Sequence, residues 1–209
     1  MFIPAKFRQD NIDEMISVMR GYPFVALVAY TGTNVEVVHI PVSVESTETN
    51  IVLKSHIAKA NPFWKVVEEH SKVLVIFNGA HSYISPSYYP TKAEHGRAVP
   101  TWNYVVVHAK GSINYLHEPQ AVYQILETLT DEQEAQFDLP WSMSDAPSDF
   151  IEKLQKAVVG IEIQVESLEG KWKVSQNQPV ENKQGVIEGL QASTNPMANE
   201  MVALVRSVL

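Results

Sequence analysis

Cysteine is absent from the 209 residues of this chain. Its absence excludes disulfides, thiolate zinc sites, iron–sulfur clusters and cysteine nucleophiles. Long apolar runs are also missing, since none approaches the roughly 20 residues that a membrane-spanning helix needs. The first residues carry neither the apolar core nor the cleavage pattern of a secretory signal. We therefore expect a cytoplasmic globular protein with no membrane partner.

Positive charge is scarce, because 16 Lys and Arg residues stand against 24 Asp and Glu, for a formal net charge of −8. Proteins bind nucleic acid largely by neutralising its phosphates with clustered Lys and Arg. The charge balance therefore does not favour DNA as a partner, and DNA binding stays a secondary hypothesis.

Several motifs with a known chemistry are missing as well. The chain has no GxGxxG and no P-loop, so a dinucleotide-binding or nucleotide-hydrolysing domain is not predicted. It has no GxSxG nucleophile elbow. The seven histidines show no HExxH or HxxxH spacing, so a metal site on a helix is not predicted, and a site formed across strands stays an alternative.

Short apolar segments with turn residues between them predict a mainly β fold of the α+β type. Gly32–Asn34 joins the first two segments as a hairpin, and Glu169-Gly170 predicts another hairpin between the last two. Gly111 suggests a sharp bend within a long strand. The predicted strands are Pro23–Thr31, Val35–Val42, Ile51–Ser55, Lys72–Asn78, Trp102–Tyr115, Val158–Leu168 and Lys171–Ser175.

Helical patterns interrupt these strands. Pro119–Leu129 is amphipathic, Thr130 is expected to begin a separate helix, and Pro147–Ala157 is expected to bury Phe150 and Leu154. A helical extension begins at about residue 180. The pattern predicts one domain over residues 1–209, a small antiparallel barrel with helical insertions and a helical C-terminal tail.

The segment from Asn78 to Tyr104 is rich in aromatic and hydroxyl side chains and lies between two predicted strands. Such a mixture of apolar walls and a few polar groups is typical of ligand pockets. The alternative is a surface loop whose aromatic residues cover the end of the barrel or form a dimer contact. The candidate binding residues here are Ser82, Tyr83, Ser85, Thr101, Trp102 and Asn103.

Two further clusters lie at strand ends. Ser55, His56 and Lys59 precede the Asn61-Pro62 helix start, where a hydroxyl, an imidazole, an ammonium and free backbone N–H groups can hold a phosphate. The alternative is an ordinary connection between a strand and a helix. A group of polar residues follows a later predicted strand. These residues either recognise a heterocycle or simply form a turn. These are Lys173, Ser175, Gln176 and Asn177.

Taken together, these segments resemble a known family. PFVALV, VVHIPV, SHIAKANP, HSYISPSYYP, VPTWNYVVVHAKG and GKWKVSQN occur in the same order as in the PaiB type of FMN-binding negative transcriptional regulators. That family is similar to the flavin-binding split barrels, which include pyridoxamine-phosphate oxidase and small flavin reductases. The resemblance implies an antiparallel split barrel, FMN as the cofactor, and a homodimer with the cofactor near the subunit interface.

The resemblance also implies roles for the three clusters. Ser55, His56 and Lys59 match the phosphate-binding position, although Lys59 stands where related barrels have an arginine. A lysine binds phosphate as a point charge, without the bidentate fork of an arginine. His39 is implied as a phosphate or ribityl contact. The resemblance implies that the cluster before Tyr104 lines the flavin ring. It also implies that the Lys173–Asn177 cluster approaches that ring, either from the partner subunit or from the same subunit.

The resulting hypothesis is an FMN-binding split-barrel protein that acts as a negative transcriptional regulator and is redox-active or flavin-sensing. One alternative is a flavin-dependent oxidoreductase without direct DNA binding. The other is a haem- or metal-binding barrel, which the seven histidines suggest. No acid–base residue is identified, so the sequence leaves enzymatic activity open.

Overall fold

An antiparallel sheet of eight strands dominates the fold, and it is open rather than closed into a full barrel. The computed structural model describes all 209 residues. The strands are β1 (Arg8–Gln9), β2 (Phe24–Tyr30), β3 (Val35–Pro41), β4 (Ser43–Ser46), β5 (Ile51–Ala58), β6 (Lys72–Ile84), β7 (Thr101–Leu116) and β8 (Val158–Lys173). Their order in the sheet is β3-β2-β6-β7-β8-β5-β4, and β1 pairs with β8. The predicted antiparallel fold with helical insertions is confirmed.

Seven helices accompany the sheet, and none of them combines the length and apolar character that crossing a membrane requires. Short 3-10 turns lie at Ala5–Phe7, Pro86–Tyr88 and Met143–Asp145. The helices are α1 (Ile12–Gly21), α2 (Phe63–Val66), α3 (Lys92–His95), α4 (Pro119–Glu134), α5 (Ser148–Gln155), α6 (Val180–Gln191) and α7 (Ala198–Arg206).

The chain divides into two compact units. Unit 1 consists of Met1–Met15, Asn78–Val107 and Glu169–Leu209, and unit 2 consists of Ile16–Phe77 and His108–Leu168. Each unit is described by itself below.

The predicted hairpin of β2 and β3 is confirmed in unit 2, with Tyr30 opposite Val35 and Phe24 opposite Pro41. Side chains alternate between the two faces of a strand. Val25 and Leu27 are completely buried on one face of this hairpin. The side chains on the opposite face of the hairpin are more exposed, and most of them are also apolar.

Gly111 marks a close approach between two strands of unit 2. A Cβ atom at this position would lie 2.1 Å from the carbonyl oxygen of Gln164 in β8. β7 runs unbroken through Gly111 from Thr101 to Leu116. The strand is not interrupted at this glycine, and the close contact with β8 explains it, because no side chain fits there.

Glycine has a similar role at Gly170 in unit 1. β8 continues through Glu169-Gly170 as a single strand of 16 residues, so the predicted hairpin turn is wrong. Gly170 pairs with Gln9 of β1, and a Cβ there would lie 2.8 Å from the Met15 sulfur. The glycine admits a neighbouring strand and helix instead of reversing the chain.

Two helix predictions are also wrong. Thr130 does not begin a new helix, because its hydroxyl donates to the Leu126 carbonyl one turn back at 2.8 Å and α4 continues to Glu134. Phe150 and Leu154 of α5 are about half exposed rather than buried.

The packing at Gly111 makes a direct prediction for stability. We expect Gly111→Ala to lower the free energy of unfolding by roughly 1–3 kcal/mol or more, because the added methyl group collides with backbone atoms. Gly21→Ala is the matched control, since no atom lies within 4 Å of a Cβ placed at Gly21. Urea denaturation of the two variants measures the difference. Equal stability would contradict the close approach of β7 and β8.

Candidate functional site

A polar cavity of about 230 Å³ lies in unit 1. The end of β8, the start of β7, the segment before β7 and the start of α6 all contribute to its wall. No aspartate or glutamate lines it. Its polar lining consists of Tyr89, Arg97, Thr101, Asn103, Lys173, Ser175, Asn177, Gln178 and Asn182.

A buried hydrogen bond joins two of the lining residues. The Asn103 amide Nδ2 donates to the Ser175 hydroxyl at 2.8 Å, and these residues are only 1% and 3% exposed. Ser175 also has a left-handed backbone, with a φ angle of 64°. That conformation is uncommon for residues other than glycine. Strained positions of this kind are concentrated at binding sites and active sites.

Lys173 carries one of the two positive charges in the cavity. Its ammonium group donates to the Thr101 hydroxyl and, at 2.6 Å, to the Trp102 carbonyl. Burial lowers the pKa of Lys173 from its ordinary value, and the nearby charge of Lys171 lowers that pKa further. Lys171 itself lies 5.1 Å from the centre of the Tyr104 ring. Both partners of Lys173 are neutral, so no counter-ion within the chain offsets its charge.

The sequence did not single out four of the lining residues: Tyr89, Arg97, Gln178 and Asn182. The side-chain oxygen Oδ1 of Asn182 accepts from the Thr91 hydroxyl at 3.0 Å, and its side-chain nitrogen Nδ2 donates to Gln178 Oε1 at 3.1 Å. Tyr89 and Arg97 lie inside the Asn78–Tyr104 segment. Asn182 is buried in α6, and a polar residue on the buried face of a helix is the signal by which sequence reasoning could have found it.

Five of the predicted residues of unit 1 line the cavity and five do not. Ser82 is buried and accepts from the Asn195 amide at 3.0 Å. Tyr83 is exposed and meets Trp102 edge-to-face at 6.0 Å. Ser85 caps the 3-10 turn that follows it, and Gln176 donates to the Trp172 carbonyl at 2.6 Å. The predicted residues that line the cavity are Thr101, Asn103, Lys173, Ser175 and Asn177.

The remaining predicted residues lie in unit 2, on β3, on β5 and just after β5. His39 is exposed on β3, and its ring centre lies 6.3 Å from that of Phe24. Ser55 is 1% exposed, and its hydroxyl donates to the Pro41 carbonyl at 2.5 Å. His56, the next residue, points to the opposite face of β5 because side chains alternate along a strand.

His56 has a buried ring nitrogen, Nδ1, without a hydrogen-bond partner. Burial also lowers the pKa of this imidazole from its ordinary value. Buried polar atoms are nearly always hydrogen-bonded in folded proteins, so an exception calls for an explanation. A ligand that supplies the missing partner is one such explanation.

Lys59 borders a second cavity, of about 320 Å³, which also lies in unit 2. The wall includes two further basic residues, His117 and Lys156, and one acidic residue, Glu152. Lys156 lies 3.9 Å from Glu152. No group of three His, Asp or Glu residues is placed to hold a metal ion anywhere in the chain.

Comparison with known proteins connects these sites to a family. Residues 1–167 match the sequence model of the family described as "Putative FMN-binding domain". The chain is also 30% identical over 209 residues to "Protease synthase and sporulation protein PAI 2" of Bacillus subtilis, with 100% of this chain and 98% of that protein covered.

Two solved structures share the fold at low sequence identity. One is the FAD and heme binding protein of Mycobacterium smegmatis, with a TM-score of 0.57, 10% identity, and 79% of this chain and 73% of that chain covered. The other is a flavocytochrome of Azotobacter vinelandii, with a TM-score of 0.56, 9% identity, and 79% and 69% covered. These likenesses show the split-barrel fold.

The surroundings of Lys173 make a prediction about its ionisation. We expect the pKa of Lys173 to lie below the value of about 10.4 for a lysine in a peptide, because burial and Lys171 both disfavour its charged form. Lys171→Gln should raise that pKa partway back. NMR detection of the Lys173 side chain during a pH titration measures both effects. Lys92→Gln is the control and should leave the Lys173 midpoint unchanged, and an identical midpoint in Lys171→Gln contradicts the assignment.

Proposed function

The chain belongs to the FMN-binding domain family whose sequence model it matches, and from that premise we propose that it is a PaiB-like protein that binds FMN. The family match over residues 1–167 carries this proposal. The full-length similarity to the Bacillus subtilis relative supports the PaiB type within the family. Family membership does not specify which flavin is bound, where it binds or what the protein uses it for, and these three points are our proposal.

The residues of unit 2 fit the phosphate end of such a ligand. The unpartnered Nδ1 of His56 and the ammonium group of Lys59 are two groups that can bond phosphate oxygens. An anion beside His56 would favour its charged form and so oppose the effect of burial on its pKa. The Ser55 hydroxyl contributes only if it exchanges its bond to the Pro41 carbonyl for one to the ligand. We propose His39, on the exposed face of β3, as a further phosphate or ribityl contact.

The residues of unit 1 are proposed, separately, for the flavin ring. Lys173, Thr101 and Asn103 offer hydrogen bonds in a cavity with aromatic neighbours. Bound FMN would supply the electron- or hydride-transfer chemistry, and the protein would bind and orient it. The other residues proposed to line or approach the ring are Ser82, Tyr83, Ser85, Trp102, Ser175, Gln176 and Asn177.

A flavin titration tests the proposal and the phosphate assignment together. We expect the protein to quench flavin fluorescence saturably at micromolar FMN, and Lys59→Ala to raise the Kd for FMN about tenfold, because it removes a charge-assisted bond to the phosphate. Riboflavin lacks the phosphate, so its affinity should change little. Lys65→Ala, which removes an exposed lysine in α2, is the matched control.

Two outcomes of this titration count against the proposal. No saturable binding of either flavin contradicts the flavin site itself. An equal effect of Lys59→Ala on FMN and riboflavin contradicts the phosphate role of Lys59. The absorption spectrum of the same sample shows whether a haem Soret band is present, which is the alternative raised by the haem-binding relatives of this fold.

We also propose a homodimer, and the exposed face of the β2–β3 hairpin supports it. Phe24, Tyr30, Val35 and Val37 on this face are each more than half exposed. Contiguous apolar surface of this kind marks interaction sites in soluble proteins. β3 is also an edge strand of the sheet. A second copy of the chain would cover this face.

Charge placed on this face should weaken a dimer that uses it. We expect Val37→Lys to raise the dimer dissociation constant by more than about 100-fold, because an unpaired charge would be buried in the interface. Light scattering after size exclusion measures the mass. Val180→Lys, at a valine that is 58% exposed in α6, is the control and should remain dimeric. A monomeric wild-type protein, or a dimeric Val37→Lys variant, contradicts this interface.

A regulatory role is proposed to act through the flavin-bound state rather than through a DNA-binding surface. The net charge of −8 opposes association with a polyanion. A flavin-dependent oxidoreductase without DNA binding is the alternative that the same cofactor supports.

A further inference from the structure

The cavity of unit 1 contains two basic side chains and no acidic one, since Arg97 and Lys173 line it and no carboxylate does. We infer that it binds a compact organic anion whose carboxylate or phosphate group lies between Arg97 and Lys173. Like charges lining one cavity repel each other, and an anion between them removes that repulsion.

Hydrogen-bond donors without partners support this inference. Lys173 has three N–H groups, and the chain supplies two acceptors for them, at Thr101 and Trp102. Arg97 is exposed, so the five N–H donors of its guanidinium are open to solvent and to a ligand, and its backbone N–H donates to the His95 ring. Tyr89 is 6% exposed as a residue, but its hydroxyl, which makes no hydrogen bond within the chain, is in contact with solvent. Burial raises the pKa of that hydroxyl, so it stays a neutral donor.

The size of the cavity limits the ligand. Its volume of about 230 Å³ is below the roughly 300–1,000 Å³ of pockets that enclose drug-sized molecules. Ala98 and Val99 add apolar wall next to Arg97. A small molecule with one anionic end and a short apolar or polar body therefore fits better than an entire flavin nucleotide.

The inference deepens the proposed function and partly rests on it, because Lys173, Thr101 and Asn103 are also proposed to line the flavin ring. An anion in this cavity would then lie beside the flavin. It would be either the compound with which the flavin exchanges electrons or the small molecule whose presence the protein senses. The anion site itself depends only on the cavity and its charges.

Calorimetric titration of the full chain tests the site. The probes are succinate and inorganic phosphate, with the uncharged diamide of succinate as the neutral control and sodium chloride to hold the ionic strength constant. Each titration is run on flavin-free protein and again in saturating FMN. Arg97→Gln removes the positive charge, and Arg97→Lys keeps the charge but loses the planar guanidinium that can bind an anion through two hydrogen bonds. Arg206→Gln is the control, because it removes an exposed arginine of α7 outside the cavity.

We expect succinate or phosphate to bind with a Kd below about 1 mM and the diamide not to bind. Arg97→Gln should weaken that binding about tenfold, Arg97→Lys should weaken it less, and Arg206→Gln should leave it unchanged. Binding that Arg97→Gln leaves as tight as in the wild type, or equal binding of the diamide, overturns the inference, as does the absence of binding by both anions.

The FMN titrations separate this inference from the proposed function. Binding of succinate without any binding of FMN upholds the anion site and removes the flavin proposal. Binding of FMN alone upholds the flavin proposal and removes the anion site. If FMN competes with inorganic phosphate, and Arg97→Gln weakens FMN but not riboflavin, the cavity holds the phosphate of the flavin itself, and a separate small-molecule ligand is ruled out.

Discussion

The contact between Tyr88 and α6 is the constraint on which the polar cavity of unit 1 depends. Gly185 and Gly189 lie one helical turn apart, and a Cβ at these positions would lie 2.0 Å from the Tyr88 carbonyl and 2.3 Å from its ring. Each glycine costs the helix about 1 kcal/mol relative to alanine. That cost is offset by packing, because Tyr88 can lie directly on the helix backbone. The neighbouring residues Tyr89 and Thr91 are then fixed beside Asn182, where the cavity forms.

The electrostatics of the cavity follow from this packing. The segment that packs on α6 at Tyr88 continues to Arg97, and β8 ends at Lys173. Both residues line the cavity, and no carboxylate lines it with them. Arg97 and Lys173 therefore line the cavity without a carboxylate partner, in a chain with more acidic than basic residues. The buried Asn103–Ser175 bond and the left-handed backbone of Ser175 hold part of the cavity wall in place. Rigid polar walls with unused donors are what a small anionic ligand needs.

Local patterns predicted most of the strands but not the elements whose partners are distant in the sequence. The β2–β3 hairpin was found because its turn and both strands are contiguous. Local sequence predicts a hairpin turn at Gly170, because the residue that pairs with it, Gln9, lies some 160 residues away. Ser55 and His56 looked like one cluster, yet strand alternation separates their side chains. Of the cavity, the sequence identified residues at strand ends, whereas Arg97 and Tyr89 lie in an irregular segment whose path is set by α6 and not by any local periodicity.

The pairing of β1 with β8 has a consequence for synthesis of the protein. Arg8 and Gln9 pair with Lys171 and Gly170, and the terminal amino group of Met1 contacts Glu169 at 2.9 Å. During translation at about 5–20 residues per second, the first strand therefore has no partner for on the order of ten seconds. Phe7, which is buried in the folded protein, lies directly before this unpaired strand. A chaperone that binds exposed apolar segments would therefore find Phe7 accessible until β8 has been made.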